Sequence, residues 1–201
     1  PSKNWEKETA EDSLSVMVSV CPEGAPMAGV PLPPAMFCNA NTSVASPSHA
    51  PLSVTVMVTD WFLPGFDDSL WPQGPSQWGF GDGDEATVTQ SGVLTTYGRT
   101  TFTASNVASM TSAELAVVRD DGAAVYLNGT EIWRSNLPDG PLSAGTYASS
   151  GVWGAEEREP TLLSIPPSML NEGTNTLAVE VHNTSTNGAD LSFDAELTVT
   201  R

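Results

Sequence analysis

The stretch RDDGAAVYLNGTEIWRSNLP, Arg119 to Pro138, decides how the chain is read. Asn128-Gly129 stands between two short runs rich in apolar and β-branched residues. A two-residue type I′ turn needs positive φ at both central positions, which Asn tolerates and Gly adopts freely. Ala124 to Leu127 and Thr130 to Trp133 therefore read as the arms of a hairpin. Asp120-Asp121-Gly122 offers a second turn of related chemistry, because Asp enters the left-handed region more readily than most residues. The segment predicts a three-stranded meander, with Val125 and Leu127 on one face and Ala124 and Tyr126 on the other. On that reading Asp120 and Asp121 are mainly structural, with a calcium or ligand role as the alternative.

Outward from this segment, strand signals recur between turn residues, and no helical period competes with them. Leu115 to Val118, Leu177 to Val181 and Leu191 to Val199 all read as strands. The last sets Leu191, Phe193, Ala195, Leu197 and Val199 against Ser192, Asp194, Glu196 and Thr198, one face for a core and one for water. Ser13 to Val20 and Leu52 to Val58 alternate in the same way. Between them, from Pro22 to Pro51, seven prolines exclude a long helix or a central strand. A short helical turn is expected over Pro167 to Leu170, closed by Asn171-Glu172-Gly173. The fold class is all-β, with strands at the spacing of a sandwich.

A chain of 201 residues is long enough to bury its own core. Its 7 Lys and Arg against 24 Asp and Glu give a net charge of −17. With no basic stripe to neutralise phosphates, nucleic acid and anionic membrane surfaces are poor partners. Calcium and neutral or cationic ligands fit better. No apolar run approaches the roughly eighteen residues that span a bilayer. Pro1 does not open a signal-peptide pattern, so a secreted protein would be represented here by a mature form or a fragment.

Cys21 and Cys38 are the two cysteines. Their spacing across a Pro- and Gly-rich loop suits a disulfide worth roughly 3 kcal/mol in the chain-entropy model, with two buried thiols as the alternative. Sequons begin at Asn41, Asn128 and Asn183. Together with the cysteines and the scarcity of lysine they favour an oxidising, extracellular setting.

Five ordered blocks carry a resemblance: PGFDDSLWPQG (64–74), WGFGDGDEATV (78–88), TTYGRTTFTA (95–104), the opening stretch (119–138), and GTNTLAVEVHNTSTNGADLSFDAEL (173–197). From about Trp61 to Val199 the chain resembles a galactose-binding-like β-sandwich module of secreted multidomain proteins, often found beside phosphoesterase, spore-coat-kinase-like or surface-anchoring domains. The resemblance implies a jelly-roll sandwich and an accessory binding or packing role, without an activity of its own. It departs at Tyr97-Gly98-Arg99, where such modules often run Tyr-Phe-Arg, and it leaves the first fifty or so residues unmatched. The expected division is 1–51, an N-terminal strand with a Pro-rich extension, and 52–201, the sandwich.

Three features could carry chemistry. Asp82, Asp84 and Glu85, on the glycine loop Gly81 to Glu85, could fold carboxylates around calcium, against the plainer reading of a solvated acidic turn. Asp190, Asp194 and Glu196 could contribute to it. Of Trp61, Trp71, Trp78, Trp133 and Trp153, most should be core. Trp153, in SSGVWGAEE, has no strand pattern to bury it and is the candidate ligand-stacking residue, with Asp120 and Asp121 as ligand-binding candidates. His49 and His182 read as solvated surface residues. No nucleophile elbow, metal-spaced histidine pair or phosphate loop accompanies them, so a non-catalytic module is expected. Glycans or a cell-surface polysaccharide are the expected partners. The alternative is a structural subunit whose strand Ser13 to Val20 adds to the sheet edge of the next copy, building a homo-oligomer, filament or surface layer.

Overall fold

The computed structural model describes residues 14–15, 17–22, 60–69 and 71–201. Among them the strands run, in chain order, β1 (Leu14–Ser15), β2 (Met17–Pro22), β3 (Gln73–Pro75), β4 (Trp78–Phe80), β5 (Thr87–Val88), β6 (Thr95–Ala104), β7 (Ser112–Asp120), β8 (Gly122–Leu127), β9 (Thr130–Ser135), β10 (Thr161–Ile165), β11 (Gly173–His182) and β12 (Leu191–Thr200). One sheet has the order β10-β7-β12-β4-β5, with β1 also paired to β12; the other is β3-β2-β6-β11-β8-β9. The molecule is an all-β sandwich, as its alternation and turn spacing require.

Alternation explains which faces meet. Ala113, Leu115, Val117, Phe193, Leu197 and Val199 of the first sheet close on Phe102, Val125, Leu127, Leu177, Val179 and Val181 of the second. Trp78 and Phe193 add rings whose centroids lie 5.4 Å apart. Each such side chain removed from water contributes about 1.5–3 kcal/mol, so this layer is the main source of cohesion.

The opening stretch forms its hairpin as expected: Asn128 has φ 52° and Gly129 φ 85°. Asn128 also clamps the turn to β11, its Oδ1 accepting from Thr176 N at 2.9 Å. The meander, however, is corrected. β7 pairs with β12 in one sheet and β8 with β11 in the other, so Asp120-Asp121-Gly122 is a corner at which the chain crosses between sheets. A Cβ on Gly122 would fall 2.7 Å from Asn136 O, which is why the corner takes glycine.

The outer face of the second sheet is not open to water. Trp61, Trp71, Ala124, Tyr126 and Ala178 form a second apolar cluster, with Phe62, Phe66, Tyr97, Leu137 and Leu142 against it. Arg99 pins the covering segment: its Nε meets Asp68 Oδ2 at 3.0 Å, and its Nη1 donates to the carbonyls of Trp61 and Leu63. This departure from Tyr-Phe-Arg thus still places the arginine where it holds a loop on the sheet.

The expected N-terminal strand is used internally. Leu14 pairs with Leu197, and β2 lies between β3 and β6. The strand on which edge-to-edge assembly would depend is therefore committed to its own two sheets. The bridge Cys21–Cys38, the sequon at Asn41, His49, the strand Leu52 to Val58 and the Pro-rich segment lie outside the described residues, apart from the backbone of Cys21 in β2. A short 3-10 turn covers Pro167–Met169, where the helical turn is expected.

Candidate ligand-binding site

Asp121 organises one end of the sandwich. Its Oδ1 accepts from Val152 N at 2.7 Å, and its Oδ2 accepts from Thr184 N at 2.9 Å and Thr184 Oγ1 at 3.0 Å. Its carbonyl takes Arg119 Nη1 at 2.7 Å and Asn136 Nδ2 at 3.1 Å. The second acid of the pair is thus a clamp joining three segments, in line with a mainly structural role. Asn136, at φ 56°, also donates to Ser150 O at 2.6 Å and so sets the course of the 148–153 loop.

That loop presents Trp153. Its side chain is 73% exposed, whereas Trp61, Trp71 and Trp78 are buried and Trp133 is packed against the core. The indole lies over Gly151: a Cβ there would fall 2.6 Å from Trp153 Cζ3 and 3.8 Å from Asp121 Oδ1. Ring and carboxylate therefore flank the same point of backbone. The structure places Trp153 and Asp121 on the two sides of Gly151, while Asp120, the other candidate, is buried in the corner behind Asp121.

Asp120 behaves differently from its neighbour. It is 1% exposed and pairs across the ladder with Ser192; its carboxyl bonds to that of Asp121, and its Oδ1 has no hydrogen-bond partner among the described residues. Burial, then the adjacent Asp121 carboxyl, and the charges of Asp190 and Glu157 push its pKa up to about 8. Asp190 is itself raised by burial and by Asp121 and Glu157. Asp82 is raised by burial and by Asp190, Glu157, Asp84 and Glu85. Gly81 brings the Asp82 loop in, for a Cβ at Gly81 would fall 2.4 Å from Ala189 O and 2.8 Å from Asp190 Cβ. Carboxylates from distant parts of the sequence thus lie within electrostatic reach of one another. Arg119 Nη2 meets Glu156 at 2.9 Å, and Arg158 Nε lies 3.4 Å from Glu157.

In the proposed calcium loop Glu85 folds back so that its carboxylate accepts from Asp82 N at 2.9 Å and Gly83 N at 3.0 Å. Among the described residues no group of three or more His, Cys, Asp or Glu side chains is placed to hold a metal ion. Asp190 does lie near Asp82, but Asp194 accepts from Ser76 Oγ at 2.5 Å and Glu196 is exposed.

Two sequon asparagines are engaged in the fold. Asn128 spends its Nδ2 on Met169 O and Asn175 Oδ1, and Asn183 is 1% exposed with Nδ2 on Asp190 O at 2.7 Å. The reading of His182 is corrected. It is fully buried on the outer face of the second sheet, beneath the 136–148 loop, with Nδ1 2.8 Å from Thr146 O. A carbonyl can only accept, so Nδ1 carries the proton. Its Nε2 stands 3.2 Å from Glu180 Oε2, out of hydrogen-bond alignment. Tyr126 donates to Glu180 Oε1 at 2.5 Å, and burial first, then Glu180, holds that hydroxyl above its usual pKa. Sequence reasoning missed this buried polar set. The available signal was Ala178, Glu180 and His182 on one phase of β11 beside Tyr126 on β8.

No protein-family model matches the chain, and no curated protein does so. Solved structures match in fold. A β-glucuronidase from an uncultured Clostridium superposes with TM-score 0.51 at 15% identity, covering 100% of this chain and 30% of its own. A calcium-binding mutant of Bacteroides uniformis β-glucuronidase 2 gives TM-score 0.48 at 16% identity, over 94% of this chain and 18% of its own. A Ruminococcus gnavus β-glucuronidase gives 0.44 at 14%, over 91% and 23%. The chain thus spans less than a third of the length of these enzymes.

Proposed function

We propose that the protein is a non-catalytic carbohydrate-binding module of galactose-binding-like type that works outside the cell. The observation that carries this reading is Trp153: an exposed indole fixed over Gly151 beside the carboxyl of Asp121. A pyranose ring stacks its apolar C–H face on an indole, while neighbouring acids accept hydrogen bonds from its hydroxyls. The other tryptophans described are used in packing, so the exposed ring is the exception among the described indoles. A sandwich shape shared with part of a β-glucuronidase chain fits an accessory role beside carbohydrate chemistry. Calcium enters as an optional stabiliser at Asp82, Asp84 and Glu85, on condition that the Glu85 carboxylate leaves the Asp82 and Gly83 amides. A glycan array probed with the wild-type chain and with Trp153→Ala tests the main reading. Binding by the first and not the second supports it, and a blank array for both, or equal binding by both, removes it.

A further inference from the structure

We propose that Asn187 is a site of spontaneous deamidation built into the turn between β11 and β12, while the fold holds the chain's other Asn-Gly pair, Asn128-Gly129, inert. The sequence has these two Asn-Gly pairs. In such a pair the backbone nitrogen of the glycine attacks the side-chain carbonyl carbon of the asparagine, since glycine has no Cβ to shield it. The bond from that carbon to the amide nitrogen breaks, ammonia leaves with the proton of the glycine nitrogen, and a cyclic imide remains. Water opens the imide at either carbonyl, giving an aspartate or an isoaspartate. Water is the one co-reactant, and an amide becomes a carboxylate.

The two pairs sit in opposite surroundings. Asn128 uses its whole amide: Nδ2 donates to Met169 O at 3.2 Å and to Asn175 Oδ1 at 2.9 Å, and Oδ1 accepts from Thr176 N at 2.9 Å. Its backbone N–H also donates to Thr176 O at 2.8 Å. Turning this side chain onto the Gly129 nitrogen therefore breaks the join between the hairpin and β11. Asn187 is exposed, and its side chain has no hydrogen-bond partner among the described residues. Two long bonds hold its turn, Asn187 N to Ser185 Oγ and Gly188 N to Ser185 O, each at 3.2 Å. Opening them frees the Gly188 nitrogen at the cost of one surface turn, whereas freeing Asn128 means disturbing a sheet. The glycine that makes Asn187 labile is also one the packing requires, because a Cβ on Gly188 would run into the side-chain amide of Asn183. Deamidation then puts a new carboxylate in the loop that carries Thr184, a donor to Asp121.

Incubation of the full chain at mildly alkaline pH, followed by tryptic digestion and mass spectrometry, provides the test. Cleavage after Arg119, Arg134 and Arg158 puts Asn128 on the peptide 120–134 and Asn187 on the peptide 159–201. The expected result is the mass gain of an amide turned acid at Asn187, localised by fragmentation, at a rate more than about tenfold above that at Asn128. Isomerisation at Asp82-Gly83 or Asp139-Gly140 passes through the same imide but leaves the mass unchanged, so it does not interfere. In guanidinium chloride, where the hairpin is lost, the two asparagines should convert at similar rates. An acidic form should accumulate on anion exchange for the wild type and be absent for Asn187→Gln. Equal rates at the two sites in the folded chain would overturn the proposal, because the hairpin would then protect nothing. An Asn187 that converts in denaturant but stays intact in the folded chain would overturn it too, the turn being then as protective as the hairpin. An acidic form undiminished in Asn187→Gln would place the reaction elsewhere and have the same consequence.

Discussion

Asp120 and Asp121 are adjacent, yet their surroundings give them opposite parts. Asp121 satisfies donors that the corner would otherwise bury unpaired. Asp121→Ala leaves those amides stranded and should cost about 2–4 kcal/mol in urea unfolding. Asp120 acts through its proton. Its pKa is about 8 in the folded chain, against about 3.9 for an unfolded Asp. Between those values the folded state holds a proton that the unfolded chain lacks. This group's contribution to stability is then full below the unfolded value and fades as pH rises through about 8. Asp120→Asn removes that titration, so urea midpoints of the variant should fall less steeply than those of the wild type as pH rises from about 4 to about 8. An identical slope would show that Asp120 is not proton-linked to folding. Trp153→Ala, at an exposed position, should change stability by less than about 0.5 kcal/mol while removing binding.

Among the elements, β2 and β11 carry most of the consequence. β2 joins β3 to β6, and without it β6 presents a bare edge. Deleting residues 1–22 should lower the melting temperature by more than about 10 °C or produce aggregation, measured by calorimetry and light scattering. A stable, soluble truncated chain would show that the N-terminal strands are dispensable. β11 has both faces buried, and Tyr126→Phe on its neighbour should cost about 1–3 kcal/mol by leaving Glu180 Oε1 without its donor. How much of this the sequence discloses depends on range. β12 and the Asn128-Gly129 hairpin were legible because alternation and turn chemistry are local. Trp153 was legible because no strand pattern surrounds it. The burial of His182 was not, since the loops that cover β11 have no period to reveal where they lie. The corner at Asp121 was misread because Asp-Asp-Gly suits a hairpin and an inter-sheet crossing alike. The company of Asp120 was hidden too, since Glu157 and Asp190 come within its reach only through the fold.

At the scale of the molecule, a net charge of −17 opposes self-association, and the strand that could have linked copies is paired internally. Light scattering should report a monomer from low to moderate salt; a salt-strengthened assembly would restore the structural-subunit alternative. If calcium binds the Asp82 loop, millimolar calcium raises the melting temperature and chelator reverses it, by mass action on the folded state. Indifference to both would remove calcium from the account. The central claim is that Trp153 and the acids beside it form the surface that meets a glycan. Its most direct test is the nitrogen-edited NMR spectrum of the indole N–H groups during titration with an array-positive oligosaccharide, the Trp153 signal being assigned by its loss in Trp153→Ala. The account predicts that the Trp153 resonance moves with ligand while those of Trp61, Trp71 and Trp78 stay in place. A stationary Trp153 signal at saturating ligand would contradict it.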